Sequence, residues 1–526
     1  MARAKKETAL TPEERLQAAL VPDWEWPYKL PENWCWTTVG AINQYEGISA
    51  DPTKAKNETF ELYSVPSSAD NYPEIVLGAD IGSAKQSVKK GDVLLCKINP
   101  RINRVWKVSK YTDHSLLASS EWIVIRNSRL ISNYLMWCLR SPYFRGYMLS
   151  NVSGVGGSLM RAQPKFVQGY PIPVPPLAEQ QRIVDRIENL FAKLDEAKEK
   201  AQTVVDSFET RKAAILHKAF TGELTAKWRE EHGVSIDNWK TTRFDSVAAI
   251  RSNLVDPAEY QSFPHIAPDN IEKKTGVLLE YHTIAEDGVT SGKHRFYSGQ
   301  ILYSKIRPYL SKAVVVDFDG LCSADMYPIE AYQNARCLWY YMLSDEFLLQ
   351  ASTAGSRSVL PKINQKELSA LTVHLPTNDR EQEEIARILD ELFDKEQQTK
   401  EAAEMVLDQI ELMKKSILAR AFRGELGTND PSEESAVELL KKVLHTSAEP
   451  KSKTKRKFIP PKIEAQIKTD LERKIIMAFI QSDTAIMPIQ QLMSVSSRKF
   501  DVIETLRNLQ ERGILLKEND TYRLMG

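Results

Sequence analysis

The chain has 526 residues, which is too long for one hydrophobic core and predicts several domains. Hydrophobic residues make up 42% of the sequence and charged residues 27%, values that are typical of a globular protein and exclude a disordered or membrane-embedded chain. The 70 basic and 70 acidic side chains cancel, so binding to nucleic acid must come from local basic patches. The five cysteines form no CxxC pair and no apolar run is long enough to cross a membrane, which together predict a cytoplasmic protein.

Turns, prolines and apolar periodicity divide the chain into alternating globular and helical segments. Two regions rich in short β-branched runs are predicted to be mixed α/β domains, and a long helix follows each of them. We call these domains the first head and the second head. In chain order we expect an N-terminal segment with a short capped helix (1–30), the first head (31–176), a long spacer helix (177–235), the second head (236–376), a second long spacer helix (377–427), a charged linker (428–460) and a winged-helix-like domain (461–526).

The two long helices are copies of one another. Residues 179–224 align with residues 381–426 at a constant offset of 202, with 20 identities in 46 positions, and both copies end in an "AF.GEL" motif. Such similarity indicates an internal duplication. Apolar residues recur in alternating steps of four and three, which predicts a coiled coil. Antiparallel pairing within the chain would bury both apolar seams, although a coiled coil that joins two chains would produce the same pattern.

The heads carry a weaker repeat. The segment "GDVLLCKINPR" (Gly91–Arg101) matches "GQILYSKIRPY" (Gly299–Tyr309) at an offset of 208. A second match, between "GGSLMRAQPKF" and "AGSRSVLPKIN", lies near the end of each head and suggests that Arg161 corresponds to Arg357. The heads have diverged far more than the helices. A duplicated scaffold with two unlike heads is what a reader of two different half-targets would require.

Side chains of the types that bind nucleic acid occupy both repeated segments of each head. Lysine and arginine bind phosphates, whereas bidentate arginine, asparagine or glutamine reads base edges. In the second head, His294 and Arg295 lie near these segments. The alternative interpretation is that all of the basic and polar side chains in these segments are solvated loop residues. The candidates are Lys97, Asn99, Arg101, Asn103, Arg104, Ser158, Arg161 and Gln163 in the first head, and Lys305, Arg307, Tyr309, Lys312, Arg357, Ser358 and Lys362 in the second.

Taken together, these features resemble the specificity subunits of type I restriction-modification systems. The resemblance rests on "PPLAEQQRIVDRI", "REQEEIARILDELF" and the two "AF.GEL" endings, each of which follows a head with a "KI.P" segment. It implies that the heads are target recognition domains, each reading half of a bipartite double-stranded DNA target. The helices would form an antiparallel intramolecular coiled coil that sets the spacing. The implied partners are two modification (methyltransferase) subunits, which dock on this coiled coil, and restriction (translocase and nuclease) subunits.

The sequence contains no motif that would make this chain an enzyme. There is no GxxxxGK[ST] phosphate-binding loop, and the closest approach to the "NPPY" loop of an adenine methyltransferase is "NPRI" at Asn99–Ile102. No HExxH motif or Cys/His spacing predicts a metal site. The resemblance therefore implies that S-adenosylmethionine, ATP and magnesium are used only by partner subunits. The rival interpretation is a coiled-coil scaffold whose heads bind proteins.

The C-terminal hundred residues exceed what the resemblance requires. A basic run at 451–457 is either a solvated linker or a phosphate-binding arm. Helices expected over 471–481, 488–493 and 498–512, followed by strand, turn and strand, predict a winged helix. Arg498, Lys499 and Arg507 would face DNA if the third of these helices is a recognition helix, but such modules also bind proteins.

Overall fold

The computed structural model describes residues 10–150, 152–153, 160–354, 361–446, 459, 461–482, 486–496 and 498–525. The basic run at 451–457 lies outside these residues. Contacts divide the chain into two compact units, one formed by residues 1–196 and 409–526 and the other by residues 197–408. Each unit contains one head and part of both long helices. Among the described residues, no helix combines the length and apolarity that crossing a bilayer requires.

The first head and its N-terminal segment contain five short α-helices and four sheets within the described residues. The helices are α1 (Pro12–Ala19), α2 (Val39–Ile42), α3 (Ser132–Arg140), α4 (Pro142–Ser150) and α5 (Pro164–Val167). The strands are β1 (Cys35–Thr38), β2 (Ser49–Ala50), β3 (Thr59–Tyr63), β4 (Glu74–Leu77), β5 (Lys85–Ser87), β6 (Val93–Cys96), β7 (Val105–Lys107), β8 (Ser115–Ala118), β9 (Trp122–Ile125), β10 (Val152–Ser153), β11 (Arg161–Ala162) and β12 (Pro171–Val174). Helix α1 confirms the expected capped helix, because Thr11 and Glu14 form a reciprocal capping box.

These elements stack in three layers. A five-stranded sheet of order β2-β5-β8-β3-β4 packs on a three-stranded sheet of order β7-β6-β9, with Tyr63, Trp106 and Trp122 buried between them. The opposite face of the smaller sheet packs against α3 and α4, where Tyr134 and Phe144 are fully buried. The predicted mixed α/β head is thus observed.

The first long helix is interrupted, whereas the sequence predicted one continuous helix. Its parts are α6 (Leu177–Asp206) and α7 (Phe208–Phe220), followed after a turn by α8 (Ala226–His232). At the break, the Ser207 hydroxyl donates to the carbonyl oxygens of Thr203 (2.6 Å) and Val204 (3.3 Å), and Arg211 Nη1 donates to the same Val204 oxygen (3.1 Å). These side chains compete with backbone amides for the carbonyl groups, which breaks the regular helix locally.

The second head repeats the three-layer arrangement. Its strands are β13 (Trp239–Arg243), β14 (Ala248–Ile250), β15 (Leu254–Val255), β16 (Pro264–Ile266), β17 (His282–Thr283), β18 (Lys293–Phe296), β19 (Ile301–Ser304), β20 (Ala313–Val315), β21 (Gly320–Cys322), β22 (Met326–Ala331) and β23 (Thr372–Pro376). Its helices are α9 (Ile284–Asp287), α10 (Ala335–Met342), α11 (Asp345–Ala354) and α12 (Gln365–Ala370). A five-stranded sheet of order β15-β18-β21-β16-β17 packs on a four-stranded sheet of order β14-β22-β19-β20, and α10 and α11 cover the latter.

The second long helix, α13 (Asp379–Ala421), is continuous. Both long helices end at the glycine of their "AF.GEL" motif, because Gly222 (φ +78°) and Gly424 (φ +73°) adopt the left-handed conformation that closes a helix. After the first glycine, the amide of Glu223 donates to the Lys218 carbonyl oxygen (3.0 Å). After the second, the amide of Glu425 donates to the Arg420 carbonyl oxygen (2.9 Å). The shared motif thus ends both long helices in the same way.

Within each unit, the two long helices run in opposite directions. In the unit of residues 197–408, Arg211 Nε contacts Glu396 Oε2 at 2.7 Å, and three residues earlier the Phe208 ring lies 4.9 Å from Lys400 Nζ. In the other unit, Lys414 of α13 pairs with Asp195 of α6, and Thr428, which follows the end of α13, bonds to Glu179 near the start of α6 (2.7 Å). Contacts that advance along one helix thus retreat along the other.

A buried glutamate anchors the first turn of α13. Glu381 is fully buried, and its Oε1 atom accepts hydrogen bonds from Thr225 Oγ1 (2.9 Å), Arg229 Nη1 (2.8 Å) and Trp239 Nε1 (3.0 Å). Thr225 and Arg229 belong to the segment that follows the end of α7. This junction fastens the start of the second long helix to the end of the first.

The matching glutamate of the first copy occupies an equivalent junction in the other unit. Glu179 is fully buried and accepts hydrogen bonds from Thr428 Oγ1 (2.7 Å) and Arg182 Nε (3.0 Å), while Arg182 also forms a bidentate pair with Glu433 at 2.8 Å. Burial raises the pKa of Glu179. The start of α6 is thus fastened to the segment after α13.

The residues after α13 form a packed helix and a separate small module. Helix α14 buries Ala436, Leu440 and Val443 in the core of the first head, whereas residues 459–524 have a core of their own. The helices are α14 (Ala436–Thr446), α15 (Pro461–Glu464), α16 (Asp470–Ser482), α17 (Ile489–Leu492) and α18 (Lys499–Glu511). The strands are β24 (Ile486–Pro488), β25 (Leu515–Glu518) and β26 (Thr521–Leu524), in the order β24-β26-β25. The predicted helices and strands are present, and β24 is an additional strand.

Candidate nucleic-acid interface

The repeated "KI.P" segments have the same unusual backbone in both heads. Asn99 (φ 45°) and Asn103 (φ 53°) of the first head adopt the left-handed conformation on either side of a proline-initiated 3₁₀ turn. Arg307 (φ 49°) and Ser311 (φ 46°) do the same in the second head. Left-handed residues other than glycine are uncommon. Two such pairs at matching positions show that these segments are structurally equivalent despite their divergent sequences.

In the first head, the second predicted segment lies directly beside the first. The amide of Asn99 donates to the Met160 carbonyl oxygen (2.8 Å), and the amide of Ala162 donates to that of Lys97 (2.8 Å). Arg161, between the two bonded residues, therefore projects next to the "KI.P" segment.

In the second head, the same two bonds join Arg307 to Pro361 (2.8 Å) and Ile363 to Lys305 (2.9 Å). The residue between them is Lys362. This corrects the sequence alignment, because the counterpart of Arg161 is Lys362 and not Arg357. Similarity of the two segments suggested the match between the arginines, whereas the backbone bonds to the "KI.P" segment set the correspondence.

Each head gathers two cations around one carboxylate. In the first head, Glu121 lies 3.8 Å from Lys97 Nζ and 3.4 Å from Arg161 Nη1, and Lys97 also donates to the Ser120 carbonyl oxygen (2.8 Å). We call Lys97, Glu121 and Arg161 the first charge cluster. With two positive charges and one negative charge, it keeps a net positive charge beside the "KI.P" turn.

The second head repeats this arrangement. Asp325 lies 3.9 Å from Lys305 Nζ and 3.3 Å from Lys362 Nζ, and Lys305 also donates to the Ala324 carbonyl oxygen. We call Lys305, Asp325 and Lys362 the second charge cluster. Partly exposed ion pairs contribute at most about 1 kcal/mol to stability, so these clusters are better explained by the placement of positive charge than by folding.

The two cations of each cluster differ in exposure. The side chains of Lys97 and Lys305 are 22% and 23% exposed, whereas those of Arg161 and Lys362 are 53% and 48% exposed. The lysines of the "KI.P" segments therefore hold the carboxylate and the adjacent loop together. Arg161 and Lys362 are the members that can reach a phosphate in solvent.

Comparisons with known proteins agree with this duplicated arrangement. The sequence model described as "Type I restriction modification DNA specificity domain" matches residues 38–204 and 236–405. The chain belongs to this family. The predictions of a specificity subunit, of sequence-specific DNA recognition and of a chain without its own catalytic activity are thereby confirmed, and the protein-binding scaffold is not favoured.

Two relatives with similar sequences are also specificity subunits of type I restriction enzymes. The chain is 36% identical over 345 residues to the type I restriction enzyme EcoDI specificity subunit of Escherichia coli, which covers 62% of this chain and 76% of that protein. It is 25% identical over 333 residues to the EcoKI specificity subunit of Escherichia coli strain K12, covering 58% of this chain and 68% of that protein.

The fold of this specificity subunit is also similar to that of solved structures. The TM-score is 0.61 with a chain from a structure that describes complex assembly and conformational transition of the type I R-M system. The crystal structure of the HsdS subunit from Thermoanaerobacter tengcongensis has a TM-score of 0.54. Both are 21% identical to this chain and cover 76% of it and 100% of their own length.

The other predicted DNA-binding residues of the specificity subunit fall into three groups. Arg101, Arg307 and Tyr309 are exposed on the 3₁₀ turns, and Arg104, Gln163 and Asn99 lie near them. The side chains of two further residues bond inside the protein. Asn103 Nδ2 donates to the Arg140 carbonyl oxygen (2.9 Å), and Lys312 Nζ donates to the Pro268 carbonyl oxygen (2.6 Å). The third group, which lies outside the described residues, consists of Ser158, Arg357 and Ser358.

The two carboxylates at the centres of the charge clusters are not among the residues predicted from the sequence. Glu121 and Asp325 follow the strands β8 and β21, far along the chain from the lysines that they bind. A search for basic and amide side chains passes over them. The repeated pattern of an acidic residue shortly after a buried strand is the only sequence signal that could have indicated them.

Among the described residues, no group of histidine, cysteine, aspartate or glutamate side chains could hold a metal ion. All five cysteines are buried, and burial raises the pKa of the Cys322 and Cys337 thiols.

Proposed function

We propose that each head of this specificity subunit reads one half of a bipartite double-stranded DNA target. The observation that carries the proposal is the pair of charge clusters, which occupy the same backbone position in two heads of otherwise divergent sequence. A shared basic site beside a shared turn suits the DNA backbone, which is the same at every sequence. The surrounding divergent residues suit the reading of two different half-sites.

We also propose that the two long helices form an antiparallel coiled coil that sets the gap between the half-sites. The opposed contacts within each unit and the two glutamate junctions support this. Half-sites on the same side of B-DNA lie about 34 Å apart. Helix α13 has 43 residues, which corresponds to about 65 Å, so such a spacer is long enough and leaves surface for partners.

The methyltransferase subunits are proposed to dock on the outer surface of α13. Met405 and Leu412 are 61% and 63% exposed and, seven residues apart, lie on one side of the helix. Val406 and Met413, each one residue further along, are also 40% and 44% exposed, which widens this apolar stripe. An acidic row lies beside it and consists of Glu401, Glu404, Asp408 and Glu411. A partner helix with an apolar seam and basic flanks would complement this surface.

The remaining partners follow from the same proposal. Two methyltransferase subunits and the restriction subunits would supply the chemistry, and they alone would bind S-adenosylmethionine, ATP and magnesium. Adenine methylation requires the base to be flipped out of the duplex, for which this chain offers only the recognition step.

The C-terminal module is proposed to be a winged-helix-like domain that binds protein rather than DNA. The exposed surface of α18 includes Phe500, which is 88% exposed, and Ile503, which is 43% exposed. Its exposed charges balance, with Arg498, Lys499 and Arg507 opposed by Asp501, Glu504 and Glu511. A helix that enters a DNA groove is expected to carry a net positive charge.

The test is to map methylated adenines in DNA from cells with and without this gene. We expect one gene-dependent motif, split into two halves by a gap of fixed length. A gene-dependent motif without a gap, or no such motif when the methyltransferase subunits are present, would contradict the proposal. Salt-dependent binding of the purified complex to DNA that contains the motif, measured by mobility shift, would separate DNA recognition from a protein scaffold.

A further inference from the structure

On one face of its five-stranded sheet, the second head places two polar side chains, Arg295 and His265, on either side of the fully buried Leu321. Strand pairing places Arg295 opposite Leu321, Leu321 opposite His265, and His265 opposite His282. Residues that pair directly on neighbouring strands share one face of the sheet. The other face of the same strands packs in the core between the sheets. Arg295 and His265 therefore flank Leu321 on the side away from that core.

The guanidinium group of Arg295 is held by aromatic rings. It lies 4.8 Å from the ring centroid of Tyr297, 5.4 Å from that of Tyr260 and 5.9 Å from that of Phe263. Its Nε atom is buried without a hydrogen-bond partner, and no carboxylate among the described residues pairs with the group. Aromatic contacts fix the plane of a guanidinium and leave its in-plane donors unused. Arg295 is thus oriented in advance for a planar acceptor.

His265 provides a second unused polar atom on this face. The residue is 8% exposed, its Nδ1 atom lies 2.7 Å from Asp287 Oδ2, and its Nε2 atom is buried without a hydrogen-bond partner. An ionised carboxylate can only accept, so Nδ1 donates, and this hydrogen bond lowers the pKa of Asp287. Buried polar atoms without partners are rare in folded proteins, and each requires an explanation. A polar ligand at this face would supply one.

The first head lacks these groups. In its five-stranded sheet, Ser87 and Leu62 both pair with Leu117, and they occupy the positions of Arg295 and His265. The charge clusters, by contrast, are present in both heads. Groups that bind the uniform DNA backbone are expected in both heads, whereas groups that read bases should differ between them. The aromatic-held arginine has the distribution of a base-reading group.

The position of Arg295 also suits contact with the half-site. Arg295 lies about 5 Å from Leu321, its neighbour across the sheet, and from Leu321 the chain reaches Asp325 of the second charge cluster in four residues, which span at most about 14 Å. The sum, at most about 19 Å, is the length of about six base pairs along a duplex. DNA held at the second charge cluster can therefore extend to Arg295.

We propose that Arg295 reads a guanine of the second half-site, donating two hydrogen bonds to the O6 and N7 atoms of the base. This contact is the commonest specific pairing between arginine and DNA. The inference rests on the proposed function, in which the second head reads one half of a split motif. It assigns a specificity-determining role to Arg295 and a guanine to that half.

The first test compares methylation motifs in cells that carry the wild-type gene, Arg295→Lys or Ser87→Ala. Arg295→Lys keeps the charge but loses the planar pair of donors. The preference for guanine over other bases at one position of one half-motif should therefore fall about 5- to 150-fold. The other half-motif, and both halves with the control Ser87→Ala, should be unchanged. A second half-motif without guanine on either strand, or an unchanged motif with Arg295→Lys, would overturn the inference.

The second test does not depend on the folding of a variant. The wild-type complex with its methyltransferase subunits is titrated with motif DNA in which 7-deazaguanine, which lacks the N7 acceptor, replaces each guanine in turn. Binding should weaken at one guanine of the second half-site and at no other position in that half. Equal binding to every substituted DNA would overturn the inference. Absence of a split motif for the wild-type gene would instead overturn the proposed function.

Discussion

Replacing Glu381 with alanine should loosen the junction between the start of α13 and the segment after α7. Glu381 is fully buried and accepts hydrogen bonds from Thr225, Arg229 and Trp239 through one carboxylate oxygen. The Arg229 side chain is only 11% exposed, so the substitution leaves a positive charge in a poorly solvated position. The decrease in the free energy of unfolding therefore depends mainly on Arg229, which loses its carboxylate partner.

The magnitude follows from the burial of this pair. Removing one partner of a buried ion pair destabilises a protein by about 3–5 kcal/mol. Arg229 keeps hydrogen bonds to the Gly222 carbonyl oxygen and Thr225 Oγ1, both at 2.8 Å, so we expect the lower end of this range. A loss of about 3 kcal/mol lowers Tm by about 6–12 °C in a unit of this size.

Calorimetry and hydrogen exchange measured by mass spectrometry would test this expectation. Amide exchange should accelerate in peptides that cover residues 222–239, whereas peptides that cover the equivalent junction at residues 421–433 should be unchanged. Glu383→Ala is the matched control, because Glu383 is exposed on the same helix and its replacement should change stability by less than about 0.5 kcal/mol. If Glu381→Ala lowers Tm no more than Glu383→Ala, the glutamate junction does not stabilise the start of the helix.

Two kinds of substitution and one truncation test other parts of the same structure. Arg161→Ala or Lys362→Ala should weaken binding to every DNA sequence alike and reduce the slope of log affinity against log salt by about 0.9. The exposed control Lys240→Ala should change neither quantity. An altered methylation motif would show that Arg161 or Lys362 reads bases instead. Leu412→Glu should abolish co-purification of the methyltransferase subunits, and Thr210→Glu, at the same repeat position of the first long helix, should not; equal effects would place the docking surface elsewhere. Removing residues 447–526 should leave the methylation motif unaltered, since the module has a core of its own, and a changed motif would assign it a role in DNA reading.

The sequence was sufficient for the order of heads and helices, because a duplication of 46 aligned positions and the glycine stops are local signals. The break at Ser207 could not be predicted, since it depends on how Ser207 and Arg211 share one carbonyl group. The candidate site was predicted in its segments but not in its chemistry. Lys312 and Asn103 have the residue types of DNA contacts, yet they bond to carbonyl groups of distant segments.

The correspondence between the heads shows a second limit. Letter matching paired Arg161 with Arg357, whereas backbone bonds pair it with Lys362. The centres of the charge clusters, Glu121 and Asp325, reach their lysines only through the pairing of strands that are distant in sequence. Side-chain roles of this kind depend on tertiary contacts, which periodicity and composition do not contain.

The central claim is that the paired long helices determine the distance between two unlike reading heads. The most direct measurement is the gap of the methylation motif after one heptad is inserted in both helices at the same repeat position, following Thr203 and Met405. Seven residues lengthen a helix by about 10.5 Å, so the gap should grow by about three base pairs while both half-motifs stay the same. A protein that still methylates its motif with the original gap would contradict the account.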